Sequence, residues 1–129
     1  MLTLPKSLKT KNATVQLMDN GILHISFDAN CVISIADVNE LLDATFKMGN
    51  GKKFKKLITL GKYTLIDLDA MKLAGSPEGA IYQLAEGIVI KSTAQRILAN
   101  FYTNVIKPIN PTKFFTDETE AENWLLNIS

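Results

Sequence analysis

The spacing of apolar and polar positions changes period several times along the chain, and each change marks an element. Residues 13 to 28, ATVQLMDNGILHISFD, hold two runs rich in β-branched and aliphatic side chains around Asn20-Gly21, a dipeptide that accepts the positive φ angles of a type I′ turn. They predict a β-hairpin. In its second arm Leu23, Ile25 and Phe27 alternate onto one face, the core candidate, while Ile22, His24, Ser26 and Asp28 take the other. The period then lengthens. Ser34, with Asp37 three residues on, makes a capping-box-like start, and Val38, Leu41, Leu42 and Thr45 recur at helical spacing until Gly49 and Gly51. That stretch predicts an amphipathic helix of about four turns.

After the lysine-rich loop GNGKKFKK comes LITL, a short apolar run of buried-strand type, and GKYTLIDLDAMKLAG predicts a strand end leading into a short helix near Asp69. Ser76-Pro77-Glu78 supplies a capping serine, a proline for the first helical position and a first-turn acid, so IYQLAEG is expected to be helical. Gly87 releases the chain into the strand IVIK. Ser92 caps a further helix with Ile97, Leu98, Phe101, Tyr102 and Val105 as its apolar stripe, ended by Pro108 and Pro111. KFF is the last strand. In the last helix Asp117 caps the free amides with Glu120 as its partner, and Ala121, Trp124, Leu125 and Ile128 fall on one face. A hairpin followed by αβ units calls for an α/β fold with a mainly parallel sheet and right-handed crossovers. Residues 1–12 are expected to be a loosely ordered segment and 13–129 a single domain.

Composition narrows the functional classes. At 129 residues, 47% of them apolar, the chain suffices for one core but not two. Fourteen basic residues against thirteen acidic ones give a formal charge of +1, so no overall field selects nucleic acid or an anionic membrane. No apolar run is long enough to span a bilayer or serve as a secretion signal, which predicts a soluble, unsecreted protein. The single cysteine, Cys31, cannot form an internal disulfide, in keeping with the cytoplasm, and with His24 as the one histidine no Cys/His zinc site is expected. No cofactor is implied.

Four stretches carry candidate chemistry. Asp67-x-Asp69 after an apolar run has the form of a phosphatase nucleophile pair, but Ala70 and Met71 stand where small polar residues would follow, and the chain is short for that fold. Cys31 and His24 are a formal thiolate–imidazole pair, with nothing in the sequence to orient the ring. GNGKKFKK lacks the first glycine of a phosphate-binding loop, since position 46 is Phe, and it follows a helix where a strand is needed. Lys52, Lys53, Lys55 and Lys56 remain a candidate contact for a phosphate, a lipid headgroup or an acidic partner, or else a solvated loop. Nucleic-acid binding lacks a basic face and stacking aromatics beyond Phe54. An enzyme is not expected.

The C-terminal stretch FFTDETEAENWL, with the preceding IVIKSTAQRILANFYTNVIKPINPTKFF, resembles bacterial SpoIIAA-like proteins, relatives of the STAS domain (sulfate transporter and anti-sigma-factor antagonist). The matching segments run in order through residues 13–128 and consist of framework motifs. The resemblance implies a βα superhelix with a sheet of about five strands and helices chiefly on one face. In antagonists of the family an Asp-Ser-Ser-Gly junction carries a phosphorylated serine; here the aligned residues are Asp67-Leu68-Asp69-Ala70. Asp67 and Asp69 are therefore the candidate regulatory junction, with Asp69 either imitating a phosphoserine or capping the short helix. With helices on one side, the apolar runs LITL and IVI would leave the second sheet face apolar and open. Two roles follow. One is a protein-interaction or self-association module using that face and the Gly61–Met71 junction; the other is a binding protein for a small apolar or lipid-like ligand.

Overall fold

The computed structural model describes residues 4–128. In chain order the elements are Ser7–Lys9 (β1), Ala13–Leu17 (β2), Leu23–Phe27 (β3), Val32–Ile33 (β4), Ile35–Gly49 (α1), Phe54–Thr59 (β5), Leu65–Ile66 (β6), Leu68–Gly75 (α2), Gln83–Val89 (β7), Thr93–Phe101 (α3), Thr112–Phe115 (β8) and Glu118–Asn127 (α4). A π-helical turn, Tyr102–Ile106, extends α3. Six strands form one sheet in the order β1-β2-β3-β5-β7-β8, antiparallel through β3 and parallel from there on. The short strands β4 and β6, which follow β3 and β5, pair with each other as a separate ribbon at the C-terminal end of the parallel strands.

Leu23, Ile25 and Phe27 do face the core. The hairpin turn is of a different kind from the one expected: Gly21 takes a positive φ of 86° while Asn20 does not, and Gly21 N–H donates to Met18 O at 3.0 Å. This is a tight turn closed by one left-handed glycine rather than the paired left-handed residues of type I′. The N-terminal segment also departs from expectation. Ser7–Lys9 pair with β2, Asn12 Nδ2 donates to Asp37 Oδ1 at 2.8 Å, and Lys9 bridges to Asp28 at 3.1 Å, so the segment is docked from residue 7.

The capping box of α1 forms in full: Ser34 Oγ accepts from Asp37 N–H and Asp37 Oδ2 accepts from Ser34 N–H. Burial alone would raise the Asp37 carboxyl; the bonds from Ser34 and Asn12 outweigh it and hold the group below the usual carboxylate range.

The largest departure is at residues 81–87, where the sequence predicts a helix. Ser76 caps a single turn only, and the good helix formers of QLAEG lie instead in β7, hydrogen-bonded between β5 and β8. Two-sided pairing and burial of Ala85, Glu86, Ile88 and Val89 override the intrinsic preference. A second shift concerns α3. Leu98 and Tyr102 turn inward, but Ile97 (64% exposed) and Val105 (60%) face solvent, as in part does Phe101. Gln95 sets this phase: its buried side chain donates to Gly61 O (3.0 Å) and Thr64 O (2.9 Å) and accepts from Lys91 N–H (2.7 Å).

Helices α1, α2 and α3 cover one sheet face, and α4 covers part of the other. Ala121 and Leu125, fully buried, pack with Ile22, Leu57, Ala85 and Val89, and Leu125 lies against Gly87. The second face is thus apolar only where α4 covers it; beyond β5 it carries Thr14, Gln16, His24 and Ser26. Among the described residues the second sheet face is therefore not the open apolar surface expected from the sequence. Trp124, whose ring lies 5.9 Å from that of Phe115, is half-buried at the margin of this layer.

A buried charged pair in an apolar chamber

Between the sheet and the three helices of the first face lies a cavity of about 130 Å³. Ile25, Ile58 and Ile88 form its floor, and Leu41, Met71 and Leu98 its roof. Two charged residues line it, Lys56 and Glu86. They are there because β5 and β7 run parallel in a register that sets Leu23, Lys56, Glu86 and Thr112 in one row across four strands, all on the helix-covered face. Lys56 is 5% and Glu86 4% exposed.

Glu86 is held. Tyr102 Oη donates to its Oε1 at 3.0 Å, and Thr112 Oγ1 lies 3.2 Å from the same oxygen. Burial pushes the carboxyl above its usual range, opposed by the Lys56 charge and the two hydroxyls. Burial first, and then the neighbouring carboxylate, push the Tyr102 phenol up, so it stays a neutral donor.

Lys56 is not held in the same way. Among the described residues Lys56 takes part in no ion pair within 4.0 Å, and the pair it would make with Glu86 is not closed. Burial lowers its pKa to about 8, with Glu86 acting at longer range in the opposite sense. Burying a charge without an ion-pair partner is costly. Lys56 thus brings a cation to the wall of a mostly apolar space.

The four lysines of the sequence-based candidate are not brought together. Strand β5 begins at Phe54, earlier than expected, so its alternation sends neighbouring lysines to opposite faces. Lys52 and Lys53 stay exposed in the loop. Lys55 lies on the α4 side, where its Nζ donates at 2.7 Å to Ile128 O and closes the end of that helix. Lys56 alone enters the chamber. At the other candidate, the β6–α2 junction, Asp67 is the helix cap, its Oδ1 accepting from Ala70 N–H at 2.8 Å, whereas Asp69 lies exposed in the first turn. Capping thus falls to Asp67 and not to Asp69.

Cys31 and His24 do not form a pair. Cys31 Sγ donates to Asp28 O at 3.2 Å, and burial raises its thiol, which works against a thiolate nucleophile. His24 Nε2 lies on the α4 side, 3.1 Å from Thr59 Oγ1, 3.2 Å from Ser26 Oγ and 3.7 Å from Glu118 Oε1. All three neighbours compete for one ring nitrogen, so this is not a relay in which an acid orients the second nitrogen. Among the described residues no group of three metal-ligating side chains occurs, and no helix is long and apolar enough to cross a membrane.

Glu86 is absent from the candidates read off the sequence because QLAEG reads as helix, which hides its place on a core face. A usable signal was present: Phe54, Lys56 and Ile58 alternate with period two, as do Glu86, Ile88 and Ile90.

The arrangement has the SpoIIAA-like fold. An uncharacterized protein from the DUF3478 family with a SpoIIAA-like fold, from Shewanella loihica PV-4, is similar over 88% of this chain and 91% of its own, with a TM-score of 0.56 and 16% identity. At that identity the likeness shows the fold alone. No curated protein matches the sequence. Residues 16–129 match the family described as a domain of unknown function (DUF7793), and the chain belongs to that family.

Proposed function

We propose that this domain is a non-enzymatic, cytoplasmic binding module that takes a small, mainly apolar ligand into the chamber between the sheet and α1, α2 and α3. The observation that carries this reading is the chamber itself, about 130 Å³ with a mainly apolar lining that includes a few polar side chains and the two charged ones, Lys56 and Glu86. An apolar cavity of about 150 Å³ accepts benzene, so the available volume suits a ligand of roughly six non-hydrogen atoms. A few polar groups in a mostly apolar pocket is the usual composition of a small-molecule site.

A second reading, a protein-interaction module, draws on a different observation. Val32, Ile35, Tyr63, Leu65 and Leu68 are all exposed around the β4–β6 ribbon, beside Asp67 and Asp69. Exposed apolar side chains gathered in one place favour a contact surface there. Native mass spectrometry of protein purified without detergent separates the two. A retained organic mass supports the ligand reading, and a bare dimer that Val32→Lys dissociates supports the second.

A further inference from the structure

Lys56, buried and outside any ion pair, bears on the ligand. We propose that the Lys56 ammonium binds the carboxylate of a small monocarboxylate whose apolar tail fills the chamber, an assignment that rests on the chamber being a ligand site.

Three observations converge. The first is that Lys56 is nine-tenths buried, lines the chamber and takes part in no ion pair within 4.0 Å among the described residues. The second is that Glu86, the other charged group of the chamber, is engaged on its Oε1 by Tyr102 and Thr112, so it sets the local charge without saturating the lysine. The third is shape: Ile25, Ile58, Ile88 and Leu98 leave room for a hydrocarbon and offer it no polar partner. A carboxylate accepts charge-assisted bonds from an ammonium that no protein carboxylate pairs, and such bonds are about twice as strong as neutral ones. An alcohol of the same length gains less, and an amine meets the ammonium as a like charge. Glu86 acts in the opposite sense on the same ligand, repelling its carboxylate, so it limits affinity.

Calorimetric titration at about pH 6.5, where the lysine and a simple carboxylate are both ionised, tests this with butyrate, 1-butanol and butylamine on the full chain. Butyrate is expected to bind at least about tenfold more tightly than butanol, and butylamine not at all. Lys56→Met should lose about tenfold or more for butyrate while leaving butanol within about twofold. Glu86→Gln keeps the lysine and should tighten butyrate but not butanol, which guards against a Lys56→Met variant that fails to fold. Equal binding of butyrate and butanol by the wild-type protein would overturn the carboxylate assignment while leaving the chamber as a ligand site. Binding of neither overturns both. A Lys56→Met variant that keeps its preference for butyrate would show that the anion is held elsewhere, and the assignment to this lysine fails.

Discussion

Replacing Lys56 by Met, of similar length but uncharged, should make the protein more stable at neutral pH. The lysine pKa falls from 10.5 to about 8 on folding. At about 1.4 kcal/mol per pH unit, that drop corresponds to roughly 3 kcal/mol by which the folded state disfavours the ammonium. Because the folded value lies below the unfolded one, the unfolded chain binds more protons between about pH 8 and pH 10.5, and stability rises with pH across that window. Below pH 8 the destabilisation is present in full. Removing the charge at pH 7 should therefore gain about 1–3 kcal/mol, less than the whole because Glu86 loses its nearby cation. Urea unfolding of both proteins at about pH 7 and pH 10 provides the assay, and the diagnostic quantity is the change in their difference, since every other lysine cancels. The advantage of the variant should shrink by about 2–3 kcal/mol over that interval. A difference independent of pH would mean that the ammonium is well solvated or partnered, and the account of the chamber would be wrong.

Other perturbations test the framework. Leu125→Ala should cost about 3–4 kcal/mol in chemical denaturation because the side chain is fully buried against Gly87; Trp124→Ala, at the half-exposed margin, should cost less. Asp67→Ala should lose about 1 kcal/mol through the missing helix cap, while Asp69→Ala should stay within about 0.5 kcal/mol, as thermal melts of the two would show. Asp37, whose folded pKa is depressed, adds stability above its unfolded pKa of 3.8 that disappears as the pH falls through the lower folded value. Asp37→Asn should accordingly flatten the acid limb of the stability–pH curve.

Much of the framework could be read from the sequence because local signals there agree with tertiary demand. Leu23, Ile25 and Phe27 alternate and are buried; Ser34 and Asp37 form the expected box; Asp117 caps α4, and Ala121 and Leu125 pack as the spacing requires. Legibility failed where pairing partners decide. QLAEG carries helix-forming side chains, and only its position between β5 and β8 makes it a strand. That one misreading concealed Glu86, and the apparent lysine loop concealed Lys56, because the start of β5 is set by pairing with β7 rather than by apolar composition. The phase of α3 was hidden for a related reason. Ile97 and Val105 look like core residues on a helical wheel, but the hydrogen bonds of Gln95 rotate them outward.

The central claim, that the chamber takes a small ligand, is tested most directly by following methyl resonances during a titration with 1-butanol. Saturable shifts are expected at Ile58, Ile88 and Met71, which line the chamber, with the surface methyls of Ile97 and Ile109 unmoved. If the chamber residues stay still, or if the shifts gather at Val32, Ile35 and Leu68 around the exposed ribbon, the ligand does not enter and the claim is contradicted.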